Sequence, residues 1–212
     1  MPNNYDASAW FYDALAKLVF GKALVKAQQF LIGDIQPKLN ILIVGGGTGW
    51  ILEELTKVQA SSLKITYVEI SAKMLALSKK RKFGQNEVAF VHKAIEEYQL
   101  SQKYDVILTP FLFDNFSEKR IQLVFNQLHQ SLKLDGLWLL CDFQVQENRH
   151  QIWQKVLLQT MYLFFGLLCN VETKTLVKMD VYFQHRNYVS VKEKTFYQGF
   201  IISKVYQKNT KF

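Results

Sequence analysis

The chain has 212 residues, enough for one domain with a full core and short for two. About half of the residues are apolar and a fifth are charged, as in ordinary globular proteins, and the two cysteines, Cys141 and Cys169, are too few for a disulfide framework or a cysteine metal cluster. The formal net charge of +8 is partly local, with eight Lys or Arg against three acids from Val171 to Phe212. Such an excess can concentrate an anionic substrate, a nucleic acid or an acidic membrane surface, although scattered solvated lysines are the plainer account of it.

The N-terminus, MPNNYDASAWFYD, has no basic region followed by an apolar stretch, so it does not read as a signal peptide, and a cytoplasmic location is expected. The first 33 or so residues read as a helical cap on a single domain covering 1–212. A buried strand, Ile41–Val44, then runs into Gly45-Gly46-Gly47-Thr48-Gly49-Trp50 and a helix pattern over Trp50–Val58. Four of the ten glycines fall within five positions. Glycine is costly to order without reason, so a turn of this kind serves close approach of backbone to a ligand. Its N–H groups and the positive end of the following helix suit a carboxylate or similar group. The spacing is GxGxG, and Trp50 stands where a dinucleotide fingerprint wants its third glycine. A pyrophosphate ligand, and with it a nicotinamide oxidoreductase, is disfavoured.

The next strand, Lys64–Ile70, contains Glu69, twenty residues after Gly49. An acid at that strand end can accept hydrogen bonds from both hydroxyls of a ribose. Ala72–Phe83 reads as a helix. It ends in the basic run Lys79–Lys82, whose lack of interleaved aromatics argues against a nucleic-acid platform. Strand Val88–His92, a short helix Ile95–Leu100, strand Tyr104–Thr109, helix Glu118–Leu132 and strand Leu137–Phe143 follow. This alternation predicts an α/β fold, a Rossmann-like doubly wound sheet with helices on both faces. A long helix around Gln151–Leu168 and a short one through Val171–Gln184 form an insert over about 148–185. Tyr188–Phe196 and Phe200–Gln207, joined through Tyr197-Gln198-Gly199, close the seven-stranded sheet with a C-terminal antiparallel β-hairpin. The uncharged segment Val156–Val171 falls short of the roughly 20 residues of a membrane span. An amphipathic membrane contact stays open, because a basic tail follows.

In this order and spacing, ILIVGGGTG, YVEISAKMLALSKKR, FVHKAIEEY, YDVILTPFLFDNF and LKLDGLWLLCDF resemble the class I S-adenosylmethionine-dependent methyltransferases. The opening YDASAWFYDAL resembles the start of the ubiquinone/menaquinone-type small-molecule enzymes. The resemblance implies S-adenosylmethionine as cofactor and S-adenosylhomocysteine as product. It implies that Gly45, Gly46, Gly47 and Gly49 pack against the methionine and ribose part, that Glu69 holds the ribose, and that Ile70, Met74, Ala94 and Ile95 flank the adenine. Thr109, Pro110 and Phe111 would stand near the sulfonium, with Tyr5 and Tyr12 closing over the site. Two departures stand out. Lys93 replaces the acid that relatives often carry before Ala94, and TPFLFDNF lacks the (N/D)PP(Y/F) arrangement of enzymes that methylate DNA bases or protein glutamine.

Methyl transfer needs alignment and water exclusion, and a base only when the acceptor must lose a proton. Candidate bases are Asp114, Asp142 and His150, each with a plainer reading as helix cap, strand-end acid and surface histidine. His92, His129 and His185 show no metal-ligand spacing, and no metal is expected. The density of Trp153, Met161, Tyr162, Phe164 and Phe165 predicts either core packing or a lid for an apolar or aromatic acceptor, such as a quinone precursor or a lipid. The alternative function is a regulatory or scaffold protein that binds the cofactor without catalysis.

Overall fold

The structure, a computed structural model, describes residues 5–145, 152–169, 173 and 175–209. Its strands are β1 (Asn40–Val44), β2 (Ser61–Glu69), β3 (Gln85–His92), β4 (Tyr104–Pro110), β5 (Leu132–Phe143), β6 (Tyr188–Phe196) and β7 (Ile201–Lys208). They form one sheet in the order β3-β2-β1-β4-β5-β7-β6. The first five are parallel, and β7 inserts antiparallel between β5 and β6. The predicted architecture, including the closing hairpin, is the one observed.

Helices cover both faces: α1 (Tyr12–Phe20), α2 (Ala23–Ile32), α3 (Trp50–Val58), α4 (Ala72–Ser78), α5 (Glu118–Ser131), α6 (Ile152–Cys169) and α7 (Asp180–His185). Residues alternate between the two faces along β1, and both faces are buried, which explains the continuous apolar run. Ile41 and Ile43 join a core with α2, α3 and Leu158 of α6, whereas Leu42 and Val44 join a second core with α5 and α7. Trp138 on β5 anchors that second core, stacked on Phe125 at 4.9 Å between ring centres. Its indole N–H donates to Thr109 Oγ1 at 3.0 Å.

Strands β2, β3 and β5 start three to five residues earlier than expected, at Ser61, Gln85 and Leu132, and three helical segments differ from the sequence expectation. Helix α4 ends at Ser78 instead of Phe83, and the chain then turns into β3 through Gly84. With φ of 64° and the Ala60 carbonyl 2.4 Å from where a Cβ would stand, Gly84 makes a turn that no continuing helix could share. The segment after Ala94 is only a 3-10 turn, Ile95–Glu97. The helix expected through Val171–Gln184 is confined to α7, after Thr173 Oγ1 has accepted from Thr175 N in a local turn that competes with helix.

Gly49 decides how closely α3 approaches α4. It sits at φ 80°, and a Cβ there would meet Ser78 Cβ at 2.4 Å and its Cα at 2.7 Å. The close-packing glycine that Trp50 was thought to displace is therefore Gly49 itself. Replacing Gly49 with Ala is expected to cost about 1–3 kcal/mol through overpacking, seen as a fall of several degrees in melting temperature; an unchanged melting temperature would show that α4 yields freely.

Candidate active site

The C-terminal ends of β1, β2 and β4 open onto one cavity of about 860 Å³. Tyr5, Tyr12, Gly45, Gly46, Gly47, Glu69, Ile70, Met74, Ala94, Ile95, Pro110 and Phe111 all line it. Two expected residues stand behind its wall. Gly49 faces α4 as described, and Thr109 is fully buried with its hydroxyl held by Trp138. His150 lies outside the described residues.

At one end Glu69 is only 4% exposed, yet both carboxylate oxygens have donors. Oε2 accepts from Gly47 N at 3.0 Å and Oε1 from Ser71 N at 2.9 Å. Burial pushes its pKa up, and these backbone donors pull it back. Gly45 N and Gly49 N are also engaged, with Val68 O and Gly46 O. Three glycine-loop amides thus serve the protein's own oxygens, a correction to the expectation of a free anion-binding turn. Tyr67 completes the loop by donating to Gly47 O at 3.0 Å. Its ring lies 2.5 Å from where a Cβ on Gly46 would stand.

The N-terminal segment is latched over this loop. Asp6 Oδ1 accepts from Ser71 Oγ at 2.6 Å and Lys73 N at 3.0 Å, at the start of α4. Asp13 takes Thr48 Oγ1 at 2.7 Å and Arg81 Nη2 at 2.9 Å, and Arg81 Nε donates to Thr48 O at 3.0 Å. Tyr5 donates to Asn115 Oδ1. The rings of Tyr5, Tyr12 and Phe165 meet at 5.7–6.1 Å, joining this lid to α6. Arg81 and Asp13 were invisible in the sequence because one sits in a lysine run and the other in an ordinary helix start. Lys93 is exposed, and the slot beside Ala94 and Ile95 is completed instead by Phe116 and Arg120.

At the other end of the cavity, the chain leaves β4 through Phe111 at φ 51°, a conformation that strains a large side chain. This bend brings Asp114 into the cavity wall with Asp142 of β5 against it; both are buried. Burial raises the pKa of both carboxyls, and for Asp114 the neighbouring Asp142 charge raises it further. Phe143 N donates to Asp142 Oδ1 at 2.8 Å, and Asn115 Nδ2 to Asp114 Oδ1 at 2.7 Å. The helix-cap reading of Asp114 fails, since the N-cap of α5 is Ser117 and no side chain caps it. Sequence spacing could not pair the two acids, because Asp114 lies in a 3-10 turn after β4 and Asp142 in β5. Among the described residues no group of His, Cys, Asp and Glu could hold a metal ion.

Comparison with known proteins fits this geometry. Residues 41–136, which span β1 to the start of β5, match the profile of the methyltransferase domain family. Over that part, which is under half of the chain, it is similar to S-adenosylmethionine-dependent methyltransferases. It is 34% identical over 140 residues to a malonyl-[acyl-carrier protein] O-methyltransferase of Acetivibrio thermocellus, covering 66% of this chain and 48% of that protein. It is 35% identical over 111 residues to the ubiquinone/menaquinone biosynthesis C-methyltransferase of Wigglesworthia glossinidia brevipalpis, covering 50% and 44%. The chain thus spans about half the length of these curated relatives. In fold it is similar to a SAM-dependent methyltransferase from Aquifex aeolicus, with a TM-score of 0.62 at 15% identity over 96% of this chain and 98% of that one. These methyltransferases use S-adenosylmethionine, and the cavity suits it in having a buried acid at the end of β2, apolar lining at Ile70, Met74, Ala94 and Ile95, and glycine backbone between.

The acid pair carries a pH signature. Because the folded chain favours its protonated form, its stabilising contribution is complete below the ordinary carboxylate pKa of about 4 and is lost as pH rises through the raised value. Asp114→Asn is therefore expected to raise the melting temperature over the parent at pH 8 and by less at pH 5. An equal shift at both would mean that Asp114 is not held protonated by its burial and by Asp142.

Proposed function

We propose that this chain transfers a methyl group from S-adenosylmethionine to a small-molecule acceptor with an apolar or aromatic body and a proton to lose. One observation carries the reading: the cavity runs unbroken from Glu69, past Pro110 and Phe111, into an apolar chamber beneath α1, α2 and α6 that Asp114 borders. The far chamber is walled by Leu15, Val19, Leu24, Leu157, Met161 and Phe165. The aromatic-rich insert divides between roles, with Trp153 packing on Tyr197 and Phe200 while Met161, Tyr162, Phe164 and Phe165 face the chamber.

Glu69 would accept the ribose hydroxyls on the lone pairs left free by Gly47 N and Ser71 N, and Ile70, Met74, Ala94 and Ile95 would hold the base. Bound S-adenosylmethionine supplies an electrophilic methyl carbon on an excellent leaving group. The protein's part is to align the acceptor and exclude water, which the Tyr5–Tyr12–Phe165 roof serves. Asp114, in its ionised form, would take the acceptor's proton, with Asp142 positioning it and holding its pKa high enough to act as a base. A hydroxyl or an acidic carbon fits this pair. A carboxylate acceptor, of the kind in the name of the malonyl-[acyl-carrier protein] relatives, would meet like charge there.

S-adenosylhomocysteine is expected to raise the melting temperature and NAD to leave it unchanged; stabilisation by NAD would sink the assignment. Glu69→Ala should weaken S-adenosylhomocysteine binding by about 1.5–3 kcal/mol in calorimetry, the range for hydrogen bonds to a charged group.

For turnover of a hydroxylated aromatic acceptor, the base must be deprotonated. The rate should then fall as pH drops, with a midpoint above the ordinary carboxylate value of about 4. Asp114→Asn should lower kcat at every pH while sparing cofactor affinity, and a flat pH profile would remove Asp114 from the chemistry.

A further inference from the structure

Helix α6 is 18 residues long with a mean hydropathy of 1.3, enough by length and composition to cross a membrane, but only 17% of it is buried. At 1.5 Å per residue it is about 27 Å long, close to the thickness of a bilayer's hydrocarbon core. It does not stand alone, however. Leu158 enters the main core, Trp153 rests on the hairpin turn, and Cys169 Sγ lies 3.5 Å from Ser8 Oγ of the lid segment. One side of the helix is therefore committed to the domain, and the other is in water, with Lys155, Gln159 and Thr160 among its exposed Ile152 and Val156 and only apolar exposed side chains from Leu163 to Leu168.

That outer side is continuous with the lid. Leu163 is 68% exposed and Leu167 79%, while Phe164 reaches Phe11 at 6.3 Å between ring centres. Phe11 in turn meets Trp10, which is 82% exposed. An apolar face of this kind, centred on a tryptophan, marks an interaction site and not an ordinary surface. Beside it, Lys17, Lys22 and Lys26 are exposed and line the cavity, as do the exposed Thr160 and Phe164 of α6. Residues that are both exposed and cavity-lining form the rim of its mouth. Among the described residues none of the three lysines has an acidic partner within ion-pair distance.

We propose that α6 and the Trp10–Phe11 tip form a membrane-docking face that lies on an anionic lipid surface, with Lys17, Lys22 and Lys26 held against the headgroups and the cavity mouth opening at the interface. Apolar side chains, a tryptophan and flanking lysines are the complement of acyl chains beneath a layer of negative charge. The lysine stems extend along the surface while their ammonium groups stay among the phosphates. The excess positive charge of the chain acts in the same direction. That an acceptor would enter sideways from the lipid through this mouth rests on the methyl-transfer reading; the docking face does not.

Flotation of the full chain with vesicles tests this. Association is expected with vesicles of phosphatidylglycerol and phosphatidylcholine, much less with phosphatidylcholine alone, and less of it as salt rises. Trp10→Ser with Leu167→Ser should reduce flotation at least tenfold. Lys17→Glu, Lys22→Glu and Lys26→Glu together should erase the preference for anionic vesicles, roughly a hundredfold for three lysines. Trp10 and Leu167 are solvent-exposed, so far-UV circular dichroism and the S-adenosylhomocysteine melting shift should be retained in that variant. No flotation, or flotation indifferent to both sets of changes, overturns the proposal. So does a concentration-dependent dimer in sedimentation that the Trp10 and Leu167 changes dissolve, since a second copy would then cover the face. Loss of the cofactor melting shift in the parent would count against the methyl-transfer reading alone.

Discussion

A single buried carboxylate holds the glycine-loop end of this molecule together. Glu69 sits at the end of β2 with almost no contact with water, and a charge in that position is tolerated only when it is fully hydrogen-bonded. Its two oxygens are bonded to Gly47 N in the loop after β1 and Ser71 N at the start of α4. One side chain thereby fixes the relative placement of two βα junctions. The glycines follow from the same demand: Gly46 must pass under the Tyr67 ring and Gly49 must touch Ser78, and neither leaves space for a Cβ. The result is a rigid shelf on which the remaining parts of the site can be arranged.

The lid depends on that shelf. Asp6 and Asp13 reach across from the N-terminal segment to Ser71 and to Thr48 and Arg81, so both anchors lie within a few residues of the elements that Glu69 positions. These bonds are polar and near the surface, worth little individually. Closure is reinforced by the contacts among the Tyr5, Tyr12 and Phe165 rings, and burial raises the pKa of both tyrosine hydroxyls. A roof built from weak polar latches around an aromatic centre can close firmly and still open for exchange.

The opposite end of the cavity concentrates what is unfavourable. Phe111 is held in a left-handed conformation, and Asp114 and Asp142 are buried side by side. Both features cost stability in a molecule whose two cores are otherwise densely packed. Strain and like charge brought together at one point beside a ligand cavity are the usual mark of a site kept for chemistry. The apolar outer face of α6 is a further departure from what folding alone would favour, and it lies beside the mouth of the same cavity.

Much of the fold was legible in the residues. The apolar runs of β1, β2 and β4, the glycine turn, the acid twenty positions on and the alternating hairpin at Tyr188–Phe196 are local patterns, and each one survives in the structure because both faces of its strand, or the turn itself, obey short-range rules. The cavity lining was legible where it follows those strand ends: Gly45–Gly47, Glu69, Ala94 and Phe111. Residues brought together from separate elements were not. The pairing of Asp114 with Asp142, the reach of Arg81 to Asp13, the retreat of Thr109 behind Trp138 and the division of α6 into a packed and an outward side all depend on which strands and helices become neighbours. Sequence determines periodicity and turn chemistry along the chain, whereas charge coupling and burial depend on distance in space. Only the tertiary structure sets that distance.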